Sequence, residues 1–297
     1  MPQTSVPQTS APQLSVPQLS PAIRRALEAP APGRPARTEA GGRTWASVSW
    51  GDSADPPMLL LHGVTSDAGT FWRLGPALAA AGRHVVAVDL PGHGGTGSWR
   101  GEQGFVETAR DVIGFLAAAG LPRPELVVLG HSWGGMVTAA LPAAGLRPAA
   151  LILLDPPAMP VSVMEAMTRD PEEQPGPDIP STMRRFAKAH PEWAEGDIRA
   201  KAEGLARFDR EAVRAVLFDN GDWDAGLASL ADPAAAGVPV WIIRGTFEWG
   251  GLIPDAAVPA LAARIGDDHV ITIADAPHSP QRTHIEHLVE AVLRALA

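Results

Sequence analysis

Short apolar runs, separated by longer stretches with helical periodicity, constrain the fold of this chain more than any other feature. Four of these runs come between residues 58 and 154, and each ends in a turn: Met58 to Leu61, His84 to Val88, Glu125 to Leu129, and Ala150 to Leu154. A strand that is apolar along its whole length is buried on both faces, as in a parallel sheet that helices cover on either side. The sequence therefore predicts an α/β fold with a mostly parallel, doubly wound sheet.

Further segments complete this predicted sheet. Thr44 to Trp50 alternates in polarity as a half-buried strand does, and two late apolar runs, Val238 to Ile243 and His269 to Ile273, predict the last strands. Helices are expected in three intervening stretches: Phe71 to Ala81, Gln103 to Ala119, and Gly135 to Ala144. Apolar residues at three- and four-residue steps from Ile285 to Leu296 predict a closing amphipathic helix.

The strand signal disappears over a long segment in the second half of the chain. Between Asp155 and Val238 the sequence offers helix starts, for example at Pro191 and Asp209, and turn residues at Asn220-Gly221. We expect residues 156–235, called the insert below, to form a helical lid over the site. Residues 43–155 and 236–297 then form the core.

The beginning of the chain has a different composition. Its first residues repeat a five-residue unit, PQTSV, PQTSA, PQLSV and PQLS, with a proline in each unit and no charged or aromatic residue. Such a segment buries too little apolar surface to offset the entropy that it loses on ordering. We therefore expect residues 1–42 to be a disordered tail and linker, broken only by a short helix at Ala22 to Glu28. A proline-rich recognition segment is the alternative.

One motif points to chemistry. Gly130-His131-Ser132-Trp133-Gly134 fits the pattern G-x-S-x-G and lies between a predicted strand and a helix of small residues. A tight strand-to-helix turn lifts one serine above the sheet edge and crowds the backbone, so small residues are needed two positions before and after it. Ser132 is therefore the candidate nucleophile, and a glycine-rich turn without chemistry is the alternative interpretation.

A serine nucleophile needs hydrogen-bond donors for the negatively charged oxygen of the tetrahedral intermediate. The backbone N–H of Trp133, directly after the serine, is the first expected donor. The second is expected in the loop after an earlier strand, where the N–H of Val64 is the candidate. His62, at the end of that strand, is expected to brace this loop rather than to act as the catalytic base.

Together these motifs resemble the α/β-hydrolase superfamily. The resemblance covers residues 44–297 and is carried by HG at His62-Gly63, DLPGHG at 89–94, GHSWGG at 130–135 and a late histidine. It implies a catalytic triad in the chain order nucleophile, acid, histidine. It also implies His278 as the histidine, between the last predicted strand and the last helix, although a proline precedes it where glycine is more usual. The rival histidines are His190, His284 and His287.

The acid of the implied triad has two candidates. In the more common arrangement of the superfamily it follows the strand Val238 to Ile243, and this sequence has Glu248 in that place. Other members carry it after the strand that follows the nucleophile helix, and here that position is Asp155. The sequence leaves the choice open, with a slight preference for Asp155. Either carboxylate would orient the imidazole and stabilise its charged form.

Composition and missing motifs limit the other possibilities. The net charge of −9 argues against a nucleic-acid partner, and the lack of cysteine excludes disulfides and thiolate metal sites. The histidines lack the spacing of a zinc site, and no P-loop and no GxGxxG after the first strand is present, so we expect no metal and no cofactor. We also expect no membrane span and a cytoplasmic location, because no apolar run is long enough to cross a bilayer and no secretory signal is evident. The sequence does not indicate an oligomeric state.

The expected substrate follows from the nucleophile and from aromatic residues around it. Dehalogenases and epoxide hydrolases of the superfamily need an aspartate where this chain has Ser132, which leaves acyl transfer to water. Phe71, Trp72 and Trp223 are the expected substrate-binding residues, so we predict a small to medium apolar ester or lactone. Two alternatives use the same triad, a carbon–carbon bond hydrolase and a cofactor-free perhydrolase. A third is a non-catalytic receptor for a small molecule.

Overall fold

Eight strands form the centre of the molecule, for which a computed structural model describes residues 17–97, 104–167, 169–228 and 237–297. They are β1 (Arg34–Ala40), β2 (Arg43–Trp50), β3 (Pro57–Leu61), β4 (His84–Val88), β5 (Val127–His131), β6 (Ala150–Leu154), β7 (Val240–Arg244) and β8 (Val270–Thr272). Their order in the sheet is β1-β2-β4-β3-β5-β6-β7-β8. The pairings of β2 with β1 and with β4 are antiparallel, and the other five are parallel. The predicted α/β fold with a mostly parallel sheet is confirmed.

Helices connect most of these strands. The α-helices of the described residues are α1 (Pro21–Glu28), α2 (Leu74–Ala79), α3 (Phe105–Ala118), α4 (Trp133–Ala140), α5 (Val161–Met167), α6 (Ile179–Ala189), α7 (Glu195–Ala206), α8 (Arg210–Phe218), α9 (Trp223–Ala228), α10 (Val258–Ile265), α11 (Pro280–Thr283) and α12 (Ile285–Leu296). None of the helices in this part of the chain is long and apolar enough to cross a bilayer.

The sheet is buried on both faces because helices cover both. Every residue of β3, β5 and β6 is buried. Successive side chains of a strand point to opposite faces, so Leu59 and Leu61 belong to one apolar cluster whereas Met58 and Leu60 belong to the other. The first cluster includes residues of α3 and α4, and the second includes residues of α2 and α12. The sheet is therefore wound on both sides.

The insert folds into helices that rest on the first cluster. The part of it that the structure describes contains the five α-helices from α5 to α9 and no strand. Val216 and Trp223 are buried in the cluster that also holds α4. Phe186, Ile198 and Leu205 form a small cluster of their own between α6 and α7. The predicted end of the insert, at residue 235, lies outside the described residues.

The short helix predicted at Ala22 to Glu28 is present as α1, but the prediction of a disordered linker from there to residue 42 is wrong, because β1 lies in it. The Ser20 hydroxyl caps α1 by accepting the Ile23 N–H at 3.3 Å, and Ile23 is buried in the second cluster. β1 pairs with β2 along its whole length, from Arg34 opposite Ser49 onward. As an exposed edge strand, β1 has the polar, proline-containing composition of a linker, and only its partner strand reveals it. Residues 1–16, which carry most of the repeat, lie outside the described residues.

The predicted helix from Phe71 to Ala81 is shorter in the structure. Asp67 accepts the Gly69 N–H at 2.9 Å and caps a 3-10 turn at Ala68–Phe71, so α2 begins only at Leu74. The other predicted helices and strands differ from the observed ones by a few residues at their ends, where assignments vary most. The predicted helix start at Gln103 lies outside the described residues.

Candidate active site

Ser132 lies at the tight turn between β5 and α4. Its backbone has φ +55° and ψ −121°, a combination that residues with a side chain rarely adopt. The Ser132 N–H donates to the carbonyl oxygen of Leu154 in β6 at 2.9 Å, which fixes the turn to the sheet. The strained turn projects the serine away from the strand, where it lines a cavity beneath the insert.

Glycine is required around this turn because the backbone comes so close. A Cβ on Gly130 would lie 2.0 Å from the carbonyl oxygen of Gly134, and a Cβ on Gly134 would lie 2.4 Å from that of Leu61. Gly63, in the loop after β3, approaches Ser132 from another element, since a Cβ on Gly63 would lie 2.9 Å from the Ser132 Cβ. The G-x-S-x-G pattern thus follows from the steric demand of the turn.

The two expected oxyanion donors lie in two elements that adjoin Ser132. Trp133 is the first residue of α4, a position whose N–H has no acceptor within its own helix and lies at the positive end of the helix dipole. Val64 follows Gly63 and lines the cavity. The next residue, Thr65, has φ +58°, so this loop is strained as well. Backbone segments from both elements therefore adjoin the serine.

His278 and Asp155 form a short hydrogen bond beside this turn. His278 Nδ1 lies 2.7 Å from Asp155 Oδ2. The Asp155 carboxylate is fully buried directly after β6, and it also accepts the N–H groups of Leu252 at 2.9 Å and Gly245 at 3.2 Å. These three bonds fix the carboxylate and, through it, the imidazole. Because Nδ1 faces the carboxylate, Nε2 is left as the nitrogen that can take up a proton.

Glu248, the other candidate acid, lies elsewhere. It is in an exposed 3-10 turn at Phe247–Trp249 after β7 and does not line the cavity. Among the described residues it has no hydrogen-bond or ion-pair partner. The loop after β7 reaches the site through Gly245, on which a Cβ would lie 2.5 Å from the Ala276 carbonyl oxygen. Of the two carboxylates that the sequence left open, the structure brings only Asp155 to His278.

Two other histidines stabilise the backbone around the site. His131 Nε2 donates to the carbonyl oxygen of His278 at 2.9 Å, and the two rings lie 4.7 Å apart. Burial, together with the neighbouring His278, lowers the pKa of His131 well below 6.5. His62 Nδ1 donates to the Gly63 carbonyl oxygen at 2.7 Å, and its Nε2 accepts the Leu90 N–H at 2.9 Å. Burial lowers the pKa of His62 to about 4, so this neutral ring ties two loops together.

The rival histidines of the sequence analysis do not line the cavity. His190 Nε2 lies 3.0 Å from a carboxylate oxygen of Glu172 within the insert. His284 and His287 are neighbours at the start of α12, with ring centroids 6.2 Å apart. Of His190, His278, His284 and His287, only His278 therefore lines the cavity with Ser132.

A cavity of about 480 Å³ lies between the core and the insert. Core residues contribute Ser132 and His278 to it. The insert contributes both charged residues and an apolar wall, which consists of Met164, Met167, Phe208, Val213, Leu217, Phe218 and Trp223. This volume and this lining suit a small to medium organic molecule with an apolar body.

Two of the three aromatic residues expected to bind substrate do not reach this cavity. Phe71 is fully buried in the second apolar cluster, because the capped 3-10 turn directs it into the core. Trp72 donates its indole N–H to Asp197 of α7 at 2.9 Å, and a Cβ on Gly196 would lie 2.4 Å from its ring. These two assignments are wrong, and Trp72 instead joins the insert to the core. Trp223 does line the cavity.

Three charged residues of the cavity had no signal in the sequence. Lys201 is buried and donates to both carboxylate oxygens of Glu173, at 2.9 and 2.8 Å. Burial acts to raise the pKa of Glu173, but Lys201, the Thr65 hydroxyl and the Arg282 charge together outweigh it, so the pKa is lowered. The same carboxylate is hydrogen-bonded to the Thr65 hydroxyl in the loop after β3. Arg282 is the third, and it follows His278 by four residues.

The chain matches the sequence model of a family described as "alpha/beta hydrolase fold" over residues 56–292. It is 29% identical over 262 residues to the pimeloyl-[acyl-carrier protein] methyl ester esterase of Xanthomonas campestris pv. campestris, a match that covers 82% of this chain and 95% of the relative. A second relative is the dihydrolipoyllysine-residue acetyltransferase component of the acetoin cleaving system of Pseudomonas putida. There the identity is 35% over 114 residues, and the match covers 38% of this chain and only 30% of that protein.

The fold is also similar to those of solved structures. E-2-(acetamidomethylene)succinate hydrolase superposes with a TM-score of 0.72 at 21% identity, covering 88% of this chain and 98% of that one. At this level of identity the similarity concerns the fold, and the chemistry has to be argued from the site.

Proposed function

This chain belongs to the α/β-hydrolase fold family, and on that premise we propose that it hydrolyses a small to medium apolar carboxylic ester or lactone. Ser132 is the nucleophile, His278 the general base and acid, and Asp155 the carboxylate that orients His278. One observation carries the proposal: a strained serine and a carboxylate-bound imidazole lie on the same cavity. The esterase among the relatives supports a hydrolase of this type.

The first half of the proposed reaction forms an acyl-enzyme. His278 Nε2 takes the proton of the Ser132 hydroxyl as its oxygen attacks the carbonyl carbon. The N–H groups of Val64 and Trp133 stabilise the negative charge that develops on the carbonyl oxygen. His278 then passes its proton to the leaving alcohol. The Asp155 carboxylate stabilises the imidazolium through the bond to Nδ1.

The second half releases the acid. His278 takes a proton from a water molecule, which attacks the acyl-enzyme, and returns that proton to Ser132. The apolar wall of the insert binds the body of the substrate and limits the access of bulk water, so the insert acts as a lid. The ion pair between Glu173 and Lys201 also contacts Thr65 and so holds this lid against the loop after β3 that carries Val64.

Hydrolysis of a panel of esters and lactones tests the proposal. The panel contains p-nitrophenyl acetate, butyrate and octanoate, followed by p-nitrophenolate release, and γ- and δ-lactones, followed by acid release. Ser132→Ala is expected to lower kcat by at least about 10³-fold. The matched control is Ser279→Ala, another serine on the same cavity, which should keep at least about a tenth of the activity.

Either of two results would contradict the proposal. One is a folded wild type that turns over none of these substrates. The other is a Ser132→Ala variant that keeps the wild-type rate, since turnover would then come from another group.

A further inference from the structure

Arg282 is a cation within the cavity that the proposed mechanism does not use. It is the third residue of α11, and its side chain lines the cavity together with Ser132 and His278. Within the described part of the chain, its guanidinium has neither a hydrogen-bond partner nor an ion-pair partner. A guanidinium carries five N–H donors, and leaving them without acceptors in a confined site is unfavourable.

The surroundings hold this guanidinium in place. Its carbon lies 4.6 Å from the ring centroid of Trp193, which is itself stacked on His190 at 4.0 Å. The backbone carbonyl oxygen of Arg282 accepts a hydrogen bond from Arg73 at 2.9 Å, and Arg73 forms an ion pair with Asp197 of α7. The Arg282 side chain is therefore stacked on an aromatic ring and joined to a braced backbone, so its binding to an anion costs little ordering entropy.

Cationic side chains outnumber carboxylates around the cavity. The lining includes five cationic side chains and two carboxylates: Arg169, Lys201, Arg210, Arg214 and Arg282, with Glu165 and Glu173. This excess of positive charge occurs in a chain whose net charge is −9. Three carboxylates, those of Glu173, Asp197 and Glu172, act to raise the pKa of Arg282 through their charge. Each of them already has another partner, in that order Lys201, Arg73 and His190. Burial lowers the pKa of the Arg282 guanidinium, but arginine stays protonated in proteins.

We propose that Arg282 binds a carboxylate on the substrate, so that the ester cleaved at Ser132 has an apolar body and an anionic end. The inference rests on the proposed function and narrows its substrate class. A planar guanidinium matches a carboxylate with two parallel hydrogen bonds, which an ammonium cannot do. The exposed Arg169, Arg210 and Arg214 at the cavity attract the anion from solution.

Two matched pairs of esters test this proposal. In the first pair the charge is on the acyl part: monomethyl adipate is compared with methyl hexanoate. In the second it is on the alcohol part: 5-acetoxypentanoate is compared with pentyl acetate. For each pair the measured quantity is the ratio of kcat/KM for the anionic ester to that for the neutral ester, with acid release followed at constant pH. The enzymes are the wild type, Arg282→Gln, Arg282→Lys and a remote control.

The wild type should prefer the anionic member of at least one pair. Arg282→Gln should reduce that ratio by roughly 10- to 150-fold, the range expected for a hydrogen-bonded ion pair. The loss should be mainly in KM, and added salt should raise the KM of the anionic ester more in the wild type than in Arg282→Gln. Arg282→Lys keeps the charge without the planar fork and should recover part of the ratio. Arg294→Gln, the same charge change on α12, should leave it unaltered.

Three outcomes separate this inference from the proposed function. If both members of both pairs are cleaved equally well, with or without Arg282, the carboxylate proposal is overturned and the esterase proposal stands. If no ester is cleaved, binding of monomethyl adipate and 5-acetoxypentanoate to Ser132→Ala is measured by calorimetry. Binding that Arg282→Gln weakens at least tenfold supports the anion site although the esterase proposal has failed. Binding that is absent or indifferent to Arg282→Gln overturns the anion site too.

Discussion

The substitution Asp155→Asn removes the charge that orients His278 while keeping the size of the side chain. In the structure the carboxylate faces three N–H donors, at 2.7 Å from His278 Nδ1, 2.9 Å from Leu252 and 3.2 Å from Gly245. An asparagine amide has one acceptor oxygen and one NH₂ group, so the NH₂ group must face at least one of these donors. It faces Gly245 alone in one orientation, and both His278 and Leu252, which share Oδ2, in the other. If the NH₂ group faces His278, the ring proton moves to Nε2, and this nitrogen no longer accepts the serine proton.

Loss of the correct tautomer and of the buried charge should lower kcat by about 10³- to 10⁴-fold, equivalent to roughly 4–5.5 kcal/mol. Initial rates of p-nitrophenyl acetate hydrolysis measure this loss, and thermal unfolding shows whether each variant is folded. Glu248→Gln is the matched control, because Glu248 is exposed and off the cavity, and it should stay within about twofold of the wild type. A folded Asp155→Asn variant that keeps more than about a tenth of the activity, or a Glu248→Gln variant that loses as much, would contradict this role of Asp155.

Two further predictions concern stability. Glu173→Gln leaves the buried Lys201 ammonium without its carboxylate, so it should lower the free energy of unfolding, measured in urea, by about 2–4 kcal/mol. Adding Lys201→Met should restore part of that loss. An unchanged urea midpoint in Glu173→Gln would contradict this. Burial lowers the pKa of His62 to about 4 and of His93 to about 3. The unfolded chain takes up these protons first, so stability should fall below pH 6.5 by up to about 1.4 kcal/mol per pH unit for each histidine. Burial raises the pKa of Asp67 to about 6, so the protonation of this one carboxyl stabilises the folded chain on acidification and opposes the effect of the two histidines. A free energy of unfolding that rises between pH 6.5 and pH 5 would contradict the prediction.

The sequence predicted the features whose residue types are set by close packing around them, namely the buried strands and the turn at Ser132. The apolar runs predicted the parallel strands because a strand that is covered on both faces leaves no polar position in its sequence. Gly130 and Gly134 identified the turn at Ser132 because the backbone there has no room for a Cβ. β1 was missed because its order comes from pairing with β2, and an exposed edge strand has no apolar pattern of its own.

Features that depend on distant parts of the chain could not be predicted. The choice between Asp155 and Glu248 depends on how the loop after β7 folds, and that loop gives Asp155 two N–H donors while Glu248 stays exposed. Phe71 is close in sequence to the loop after β3 that holds Val64, yet the 3-10 turn before α2 directs its side chain into the core. Arg282 stands out only once Trp193, from the insert, is seen beside it.

The central claim is that Ser132 is a nucleophile activated by His278, and covalent labelling tests it most directly. The wild type, Ser132→Ala and His278→Ala are incubated with a fluorophosphonate, and the adduct is located by intact-mass and peptide mass spectrometry. We expect one adduct on Ser132 in the wild type, none in Ser132→Ala, and a labelling rate at least about 10²-fold lower in His278→Ala. A folded wild type that stays unlabelled, or an adduct on another residue, would contradict it.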